Sequence, residues 1–260
     1  MATQPLTTDL TAMYIQPRHV KFEDCDFYHS YTLAGGDVVG HWDLRDNWRS
    51  YLGHAAFAGR SVLEIGPASG FLSFCMEREG AQVTSLEPPM SHLWDVVPSQ
   101  DVDIPAWRAS FALGIERVRN SFWYVHEEMK SNVRLMEVDP YNIPDTLGEF
   151  DVGVLAAVLL HCRRPFDLLE SVAQRSRKTV IVTEVYNASL GEQAACAFLP
   201  HRGVDQVHTW WHFSPQFFVS ALGLLGFTEA RVNFHTQPQP SVGGRAVELF
   251  TVVCEKPDHV

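Results

Sequence analysis

Segment 60–88 constrains the fold most strongly, because it combines an apolar run, a turn bounded by glycines, a helical pattern and a second apolar run. The first run, 61–65, is typical of a buried parallel strand. Apolar residues at helical spacing predict a helix over 71–79, and a second strand follows at 82–86. This order of elements predicts a mononucleotide-type binding site in an α/β protein.

The turn after the first strand reads Glu64-x-Gly66-x-x-x-Gly70, with Ala68 between the two glycines. Glycines let the backbone approach a ligand closely, because they carry no Cβ atom. The turn lacks both the Gly-x-Gly-x-x-Gly of a pyrophosphate-binding turn and the Gly-Lys-Ser/Thr of a P-loop. Glu87 directly follows the second strand, where a carboxylate can accept hydrogen bonds from both hydroxyls of a ribose. The segment therefore predicts a nucleoside cofactor.

This turn resembles motif I of the class I S-adenosylmethionine-dependent methyltransferases, and the resemblance continues from about residue 42 onward. It implies that S-adenosylmethionine is the cofactor, with its methionyl part facing Glu64 and the backbone of 66–70 and its ribose held by Glu87. An ordinary α/β turn with two glycines is the alternative. The cofactor-binding residues that the resemblance implies are Trp42, Arg45, Glu64, Gly66, Pro67, Ala68, Gly70, Glu87, Pro88, Asp139, Pro140, Ala156 and His161.

Further elements follow at intervals that this family shares. The stretch FDVGVLAAVLLHCRRPFDLLESV resembles the family's motif IV region, in which a strand ends beside the cofactor and leads into a helix that starts at a proline. The resemblance implies a Rossmann-like seven-stranded, mostly parallel sheet flanked by helices, with an antiparallel last strand and an N-terminal helical lid. We expect the remaining strands at 133–138, 150–160, 178–185, 231–235 and 246–255, and helices over 165–175 and from 214 to 226.

The length of 260 residues suits one domain with additions. We expect a single domain over 1–260, with an N-terminal lid over 1–57 and a Rossmann-like core over 58–260. The core carries insertions near 98–131 and 187–213. Because the first core strand begins only at 61, we expect the core to fold without the residues that precede Gly53.

Two segments are rich in aromatic and histidine side chains. Segment 27–51 contains Trp42 and Arg45, and a lid of aromatic rings could hold a sulfonium by cation–π contact while Arg45 meets a carboxylate. Segment 187–213 ends in HTWWHFSP and is expected at the opposite side of the site. His208 and His212 have a spacing that suits a metal on a helix, but Ser214 and Pro215 indicate that the helix starts later, so no metal site is predicted.

Three side chains are candidates for a chemical role: His161, Tyr28 and Tyr186. His161 follows the fourth strand, where it could act as a general base or instead orient its loop. Tyr186 and the neighbouring Glu184 end the fifth strand, and a buried hydrogen-bonding role is the alternative for both.

The formal net charge of −11 disfavours nucleic acid as a partner, because polyphosphate binding depends on clustered Lys and Arg. The chain also resembles the wobble-uridine tRNA carboxymethyltransferases in HWDLRDNWRSYLGHAAFAGRSVLEIG, although Gly40-His41 replaces their lysine before the tryptophan. We therefore predict plain S-adenosylmethionine and a small-molecule substrate. The five scattered cysteines and the lack of a membrane-spanning stretch favour a cytoplasmic protein that needs no membrane, and a homodimer is compatible with the sequence.

Three functions remain open at this level. The first is in-line methyl transfer from S-adenosylmethionine to a small molecule, which depends mainly on orientation and needs few catalytic side chains. The second uses S-adenosylmethionine itself as the substrate, as in intramolecular cyclisation to azetidine-2-carboxylate with release of methylthioadenosine. The third is a non-catalytic methyltransferase-like subunit, which Ala68 in place of a glycine would fit.

Overall fold

In the computed structural model, which describes residues 13–92, 95–203 and 206–257, an eight-stranded sheet has helices on both faces. Two short hairpins lie outside this sheet. The strands are β1 Tyr14–Ile15, β2 Tyr31–Leu33, β3 Gly36–Val38, β4 Ser61–Ile65, β5 Gln82–Glu87, β6 Arg134–Glu137, β7 Phe150–Ala156, β8 Ser176–Val185, β9 Cys196–Phe198, β10 Trp211–Phe213, β11 Glu229–Gln239 and β12 Arg245–Glu255. The helices are α1 Trp48–Tyr51, α2 Phe71–Arg78, α3 Ile104–Met129, α4 Pro165–Gln174 and α5 Pro215–Leu224.

The strand order in the sheet is β1-β6-β5-β4-β7-β8-β12-β11. The five central strands from β6 to β8 are parallel, whereas β12 runs antiparallel to both of its neighbours. A mostly parallel sheet with an antiparallel last strand is thus confirmed. The sheet has eight strands rather than seven, because the short β1 adds to the edge of β6.

Alternate residues of the central strands face two separate hydrophobic clusters. Val62 belongs to the cluster under α2 and α3, whereas the adjacent Leu63 belongs to the cluster under α4 and α5. Ile181 and Val182 divide between the same two clusters. Helices on both faces require strands that are apolar on both sides, which explains the continuous apolar runs.

The helix boundaries follow from local capping. Ser214 caps α5 as expected, since its Oγ accepts a hydrogen bond from the backbone N–H of Phe217 at 3.3 Å. Asp103 caps α3 in the same way, through the N–H of Ala106 at 3.0 Å. The insertion expected near 98–131 is mainly this 26-residue helix. No helix in the described part of the chain is both long and apolar enough to cross a membrane.

The N-terminal segment differs from the helical lid that the sequence suggested. Over residues 13–57 it contains β1, a short 3-10 helix at Phe22–Asp24, the β2–β3 hairpin and one four-residue α-helix, α1, joined by irregular segments. Phe27, Tyr31, Leu44 and Trp48 are buried in the cluster beneath α2. Their removal would expose apolar side chains beneath that helix. The expectation that the core folds without them stays a prediction, and this packing opposes it.

The first test of this packing uses Gly153 in β7. A Cβ at this position would lie 2.4 Å from Ser176 Oγ and 2.6 Å from Val172 Cγ1. We expect Gly153→Ala to lower the free energy of unfolding by about 1–3 kcal/mol, because α4 must move away from the sheet. In α5, a Cβ at Gly223 meets no atom within 4 Å, so Gly223→Ala should instead raise stability by about 0.5–1 kcal/mol. Urea unfolding measures both, and effects of the same sign would contradict this account.

Candidate active site

A cavity of about 560 Å³ lies at the carboxyl ends of β4, β5 and β7. The chain passes from β4 outward to β5 and β6 and then returns to β7 on the other side of β4, so the cavity lies where the strand order reverses. Ligands of open α/β sheets bind at such switch points, and the volume falls in the range of small-molecule sites. The walls come from the turn after β4, the N-terminal segment, α3 and the turns that follow β6 and β7.

The turn after β4 has three residues with left-handed backbone conformation. Gly66, Ala68 and Gly70 have φ values of +68°, +51° and +86°. An L-residue in this region costs roughly 1–2 kcal/mol, which explains why a glycine would fit at position 68 as well. A Cβ on Gly70 would lie 2.6 Å from ring atoms of Phe74 and Phe122. Gly66, Pro67 and Ala68 line the cavity, whereas Gly70 is packed against the core.

Glu64 lies at the base of this turn and is almost fully buried. Its carboxylate accepts hydrogen bonds from Ser73 Oγ at 2.5 Å and Ser85 Oγ at 2.8 Å. Burial raises the pKa of Glu64 to about 7, although both hydroxyls favour the charged form. The two serines hold the carboxyl group in one orientation at the edge of the cavity.

Glu87 ends β5 and is buried beside an arginine that the sequence analysis did not identify. Arg119 Nη2 lies 3.9 Å from Glu87 Oε2 and donates to the carbonyl of Pro88, while Nη1 donates to Glu137 at 2.8 Å. Burial raises the pKa of Glu87 to about 7, and Arg119 and the N–H of Ala68 oppose this rise. Glu87 therefore faces the cavity with one backbone donor and one cation already directed towards it.

The N-terminal segment forms a second wall, which includes Tyr28, His29, His41 and Tyr51. Its link to the turn after β4 is Ser69, whose Oγ accepts the N–H of His29 at 2.9 Å and contacts the imidazole Nδ1 at 3.1 Å. The hydroxyl of Tyr31 donates to the carbonyl of the same serine. Burial lowers the pKa of His29 to about 3, so its ring is neutral at physiological pH.

His161 lines the cavity from the segment that follows β7. Its Nδ1 donates a hydrogen bond to the carbonyl of His208 at 2.5 Å, and the two rings stack at 5.6 Å. The same stack continues to Trp107 and Phe111 on α3. Desolvation lowers the pKa of His161 to about 3. A neutral ring tied to a carbonyl orients its loop and is a poor proton acceptor near neutral pH.

Glu184 is hydrogen-bonded to the backbone of the loop that carries His161. Its Oε1 accepts the N–H of Leu160 at 3.2 Å, and a second hydrogen bond comes from the N–H of Leu159. Glu184 is 2% exposed, and this burial raises its pKa to about 8. It is therefore a buried hydrogen-bonding group, which is the alternative that the sequence left open.

Several residues named from the sequence lie outside the cavity lining. Arg45 is paired with Asp43 at 2.7 Å and Asp37 at 3.0 Å, so its guanidinium does not reach the ligand space. Tyr186 lies in a separate groove against Phe234. The side chain of Trp42 is hydrogen-bonded to that of Tyr28. Asp139 accepts the backbone N–H of Tyr141, two residues later in the chain. Pro88, Pro140 and Ala156 do line the cavity, as do Tyr28 and His161.

The largest omission from the sequence analysis was the wall that α3 provides. The lining residues recur at helical spacing, which an amphipathic pattern within segment 98–131 could have indicated. They are Ser110, Phe111, Gly114, Ile115, Val118 and Arg119. By contrast, segment 187–213 was expected to line the site broadly, but only His208 of its described residues does so.

Glu184 provides the second test. The pKa of its carboxyl rises from 4.5 to about 8 on folding, so between these pH values the folded state holds a proton that the unfolded state has lost. Its contribution to stability is therefore complete below about pH 4.5 and is lost as the pH rises towards about 8. We expect Glu184→Gln, whose amide oxygen can still accept the N–H of Leu160, to flatten this decline in urea unfolding at several pH values. Exposed Glu128→Gln should keep the wild-type slope, and parallel curves for all three proteins would refute the assignment.

The fold is similar to those of several solved structures. The N-terminal domain of EvdMO1, crystallised in the presence of S-adenosylhomocysteine and D-fucose, matches with a TM-score of 0.53 and 22% identity over 90% of this chain and 93% of that chain. The longer EvdMO1 chain matches with a TM-score of 0.54 and 20% identity over 90% of this chain and 45% of that chain. The Bacillus halodurans protein BH2331 matches with a TM-score of 0.50 and 12% identity, over 81% and 99% of the two chains.

At these identities the likeness concerns the fold alone. No protein-family model and no curated protein matches the sequence. The strand order, the antiparallel last strand and these neighbours together show that the chain has a Rossmann-like methyltransferase fold.

Proposed function

We propose that the protein binds S-adenosylmethionine and transfers its methyl group to a small molecule. The observation that carries this proposal is the composition of one cavity. The left-handed turn of 66–68, the buried acid Glu87 and a second wall of tyrosine and histidine side chains all line it. A cavity with one nucleoside-binding side and one polar, aromatic side is what a two-substrate transfer requires.

The residues present fit this cofactor. Glu87 would accept the ribose hydroxyls, since its carboxylate already faces the cavity beside Arg119. The backbone at Gly66 would lie against the methionyl part, because Gly66 lines the cavity and carries no Cβ that could block a close approach. When bound, S-adenosylmethionine supplies a methyl group on a positively charged sulfur. The N-terminal domain of EvdMO1, with the same fold, was solved with S-adenosylhomocysteine bound.

The chain's own contribution to catalysis would be orientation and exclusion of water. Tyr28 projects a ring into the cavity, and the hydrogen bond from Trp42 holds its hydroxyl. The stack of His161, His208 and Phe111 closes the opposite side. Aligning the acceptor, the methyl group and the sulfur accelerates transfer without a catalytic triad.

The charges around the cavity support a small and uncharged or cationic substrate over nucleic acid. Asp26 and Asp95 lie in the lining with Glu64 and Glu87, and Arg119 is the one Lys or Arg among the described lining residues. That arginine is already paired with Glu137. Such a site offers no row of cations for phosphates. EvdMO1 has a similar fold, and its N-terminal domain was crystallised in the presence of the uncharged sugar D-fucose, a small molecule of the kind proposed here.

The third test substitutes Glu87. Glu87→Gln replaces charge-assisted hydrogen bonds with neutral ones, so we expect S-adenosylhomocysteine to bind at least roughly tenfold more weakly in calorimetry. Because the carboxyl has a pKa of about 7 in the free protein, wild-type affinity should also fall as the pH drops below about 7, and this dependence should be shallower in the variant. Glu128→Gln, on the exposed end of α3, is the matched control.

Product analysis separates the proposed transfer from cyclisation. Incubation with S-adenosylmethionine alone should leave the cofactor intact, because methyl transfer needs an acceptor. Release of methylthioadenosine without an acceptor would instead establish the intramolecular reaction. Failure of wild-type protein to bind S-adenosylhomocysteine would refute both.

A further inference from the structure

We propose, building on the function above, that His41 is a catalytic base for a hydroxyl acceptor and that Asp26 is its carboxylate partner. Both residues line the cavity. His41 Nε2 lies 3.4 Å from Asp26 Oδ1, and the two side chains are 48% and 43% exposed. The pair therefore lies where the cavity meets solvent, in reach of a molecule that enters it.

The backbone fixes both partners. The N–H of His41 donates to the carbonyl of Phe27 at 3.2 Å, and the N–H of Asp26 donates to the carbonyl of Arg117 at 3.1 Å. Gly40 allows the close approach of the two N-terminal segments, since a Cβ there would lie 2.4 Å from the carbonyl carbon of His29. The pair is thus held by the same segment packing that positions Tyr28 and His29.

This position is at the methionyl end of the proposed cofactor site rather than the ribose end. His29, two residues after Phe27, is bonded to Ser69 of the turn after β4. The ring of Tyr28 stacks on that of His41 with centroids 5.8 Å apart. The charged and titratable groups around His41 are Asp26, Tyr28 and His29.

Two of the other histidines in the cavity lining, His29 and His161, have environments that suit structural roles. His29 and His161 are bonded to a serine hydroxyl and a backbone carbonyl, and desolvation lowers the pKa of each to about 3. His41 instead has a carboxylate oxygen 3.4 Å from its Nε2. This placement leaves Nδ1 as the ring nitrogen that can accept a proton, as in other histidine–carboxylate pairs.

A base at this place indicates a hydroxyl acceptor. As the new O–CH₃ bond forms, the C–S bond breaks, its electron pair stays on sulfur, and the hydroxyl proton passes to His41. A neutral amine needs no base for its attack, because the ammonium that forms can lose its proton to water afterwards. An alcohol that attacked without a base would become an oxonium ion, which is not a stable cation. The lack of a free Lys or Arg among the described lining residues further disfavours a carboxylate or phosphate acceptor.

The experiment compares wild type, His41→Gln, Asp26→Asn and a control, His19→Gln, whose histidine pairs with Glu127 outside the cavity. S-adenosylmethionine labelled with ¹³C in the methyl group is incubated with D-fucose, catechol or benzylamine, and NMR reports the atom methylated. Calorimetry with S-adenosylhomocysteine tests cofactor binding separately. Transfer rates are measured at saturating S-adenosylmethionine from about pH 5.5 to 9, so that the weaker cofactor binding expected on protonation of Glu87 does not affect them. Protonation of a base then lowers the rate as the pH falls.

We expect methyl transfer to oxygen in at least one hydroxyl probe. His41→Gln should lose roughly 100-fold in rate and its acidic limb, and Asp26→Asn should lose roughly tenfold in rate. Both should bind S-adenosylhomocysteine within about twofold of wild type. The proposal is overturned if His41→Gln keeps the wild-type pH profile, if only benzylamine is methylated, or if a protein that binds S-adenosylhomocysteine methylates neither hydroxyl probe. Loss of cofactor binding in the wild type would remove the underlying function as well.

Discussion

Three buried carboxyl groups near the carboxyl ends of parallel strands lie in or behind the wall of the candidate site, and each is held by hydrogen-bonding or charged partners. Glu64 is held by Ser73 and Ser85, Glu87 by Arg119 and the N–H of Ala68, and Glu184 by the backbone after β7. A buried carboxyl without such partners would cost several kcal/mol. The partners come from α2, α3 and two turns, so the acids join the ends of the strands to the surrounding elements.

The N-terminal segment has two roles that its composition did not separate. Its large apolar side chains complete the core under α2, and its polar ones line the cavity beside the turn after β4. Ser69 connects the two, because it accepts from His29 and its carbonyl accepts from Tyr31. Tyr31 is only 1% exposed, so this segment packs closely against the core. The segment forms a wall of the cavity, and the pair of Asp26 and His41 belongs to that wall.

The helix α3 is an addition to the core fold, and it forms one wall of the cavity. The helix α3 begins far from the sheet edge and buries only its second half, from Arg119 to His126, against the core. Its first half lines the cavity through Phe111 and Ile115. Arg119 lies at the junction and pairs with Glu137 while it approaches Glu87. The environment of Glu87 therefore depends on the docking of this helix.

The sequence alone determined the order of the core elements and the bounds of some, because those depend on local properties. The strand expected over 150–160 ends at Ala156, and the strand expected over 231–235 extends over Glu229–Gln239. β4 begins and ends where the apolar run does, and Ser214 caps α5 as the serine and proline predicted. The turn of 66–70 and Glu87 could also be predicted from the sequence. Glycines mark the left-handed backbone of the turn, and Glu87 is an acidic residue that directly follows an apolar run. These features suffice to predict the Rossmann-like fold and the nucleoside end of the cavity.

Only the tertiary structure decided which distant side chains meet. Arg45 suited a carboxylate by type, but Asp37 and Asp43 occupy its guanidinium. Tyr186 follows a strand end as His161 does, yet it faces another groove, because β12 and β11 lie beside it. Arg119 and the pairing of Asp26 with His41 depend on contacts across more than ten residues of sequence. Pair distances of that kind arise from packing, and no periodicity within a single segment encodes them.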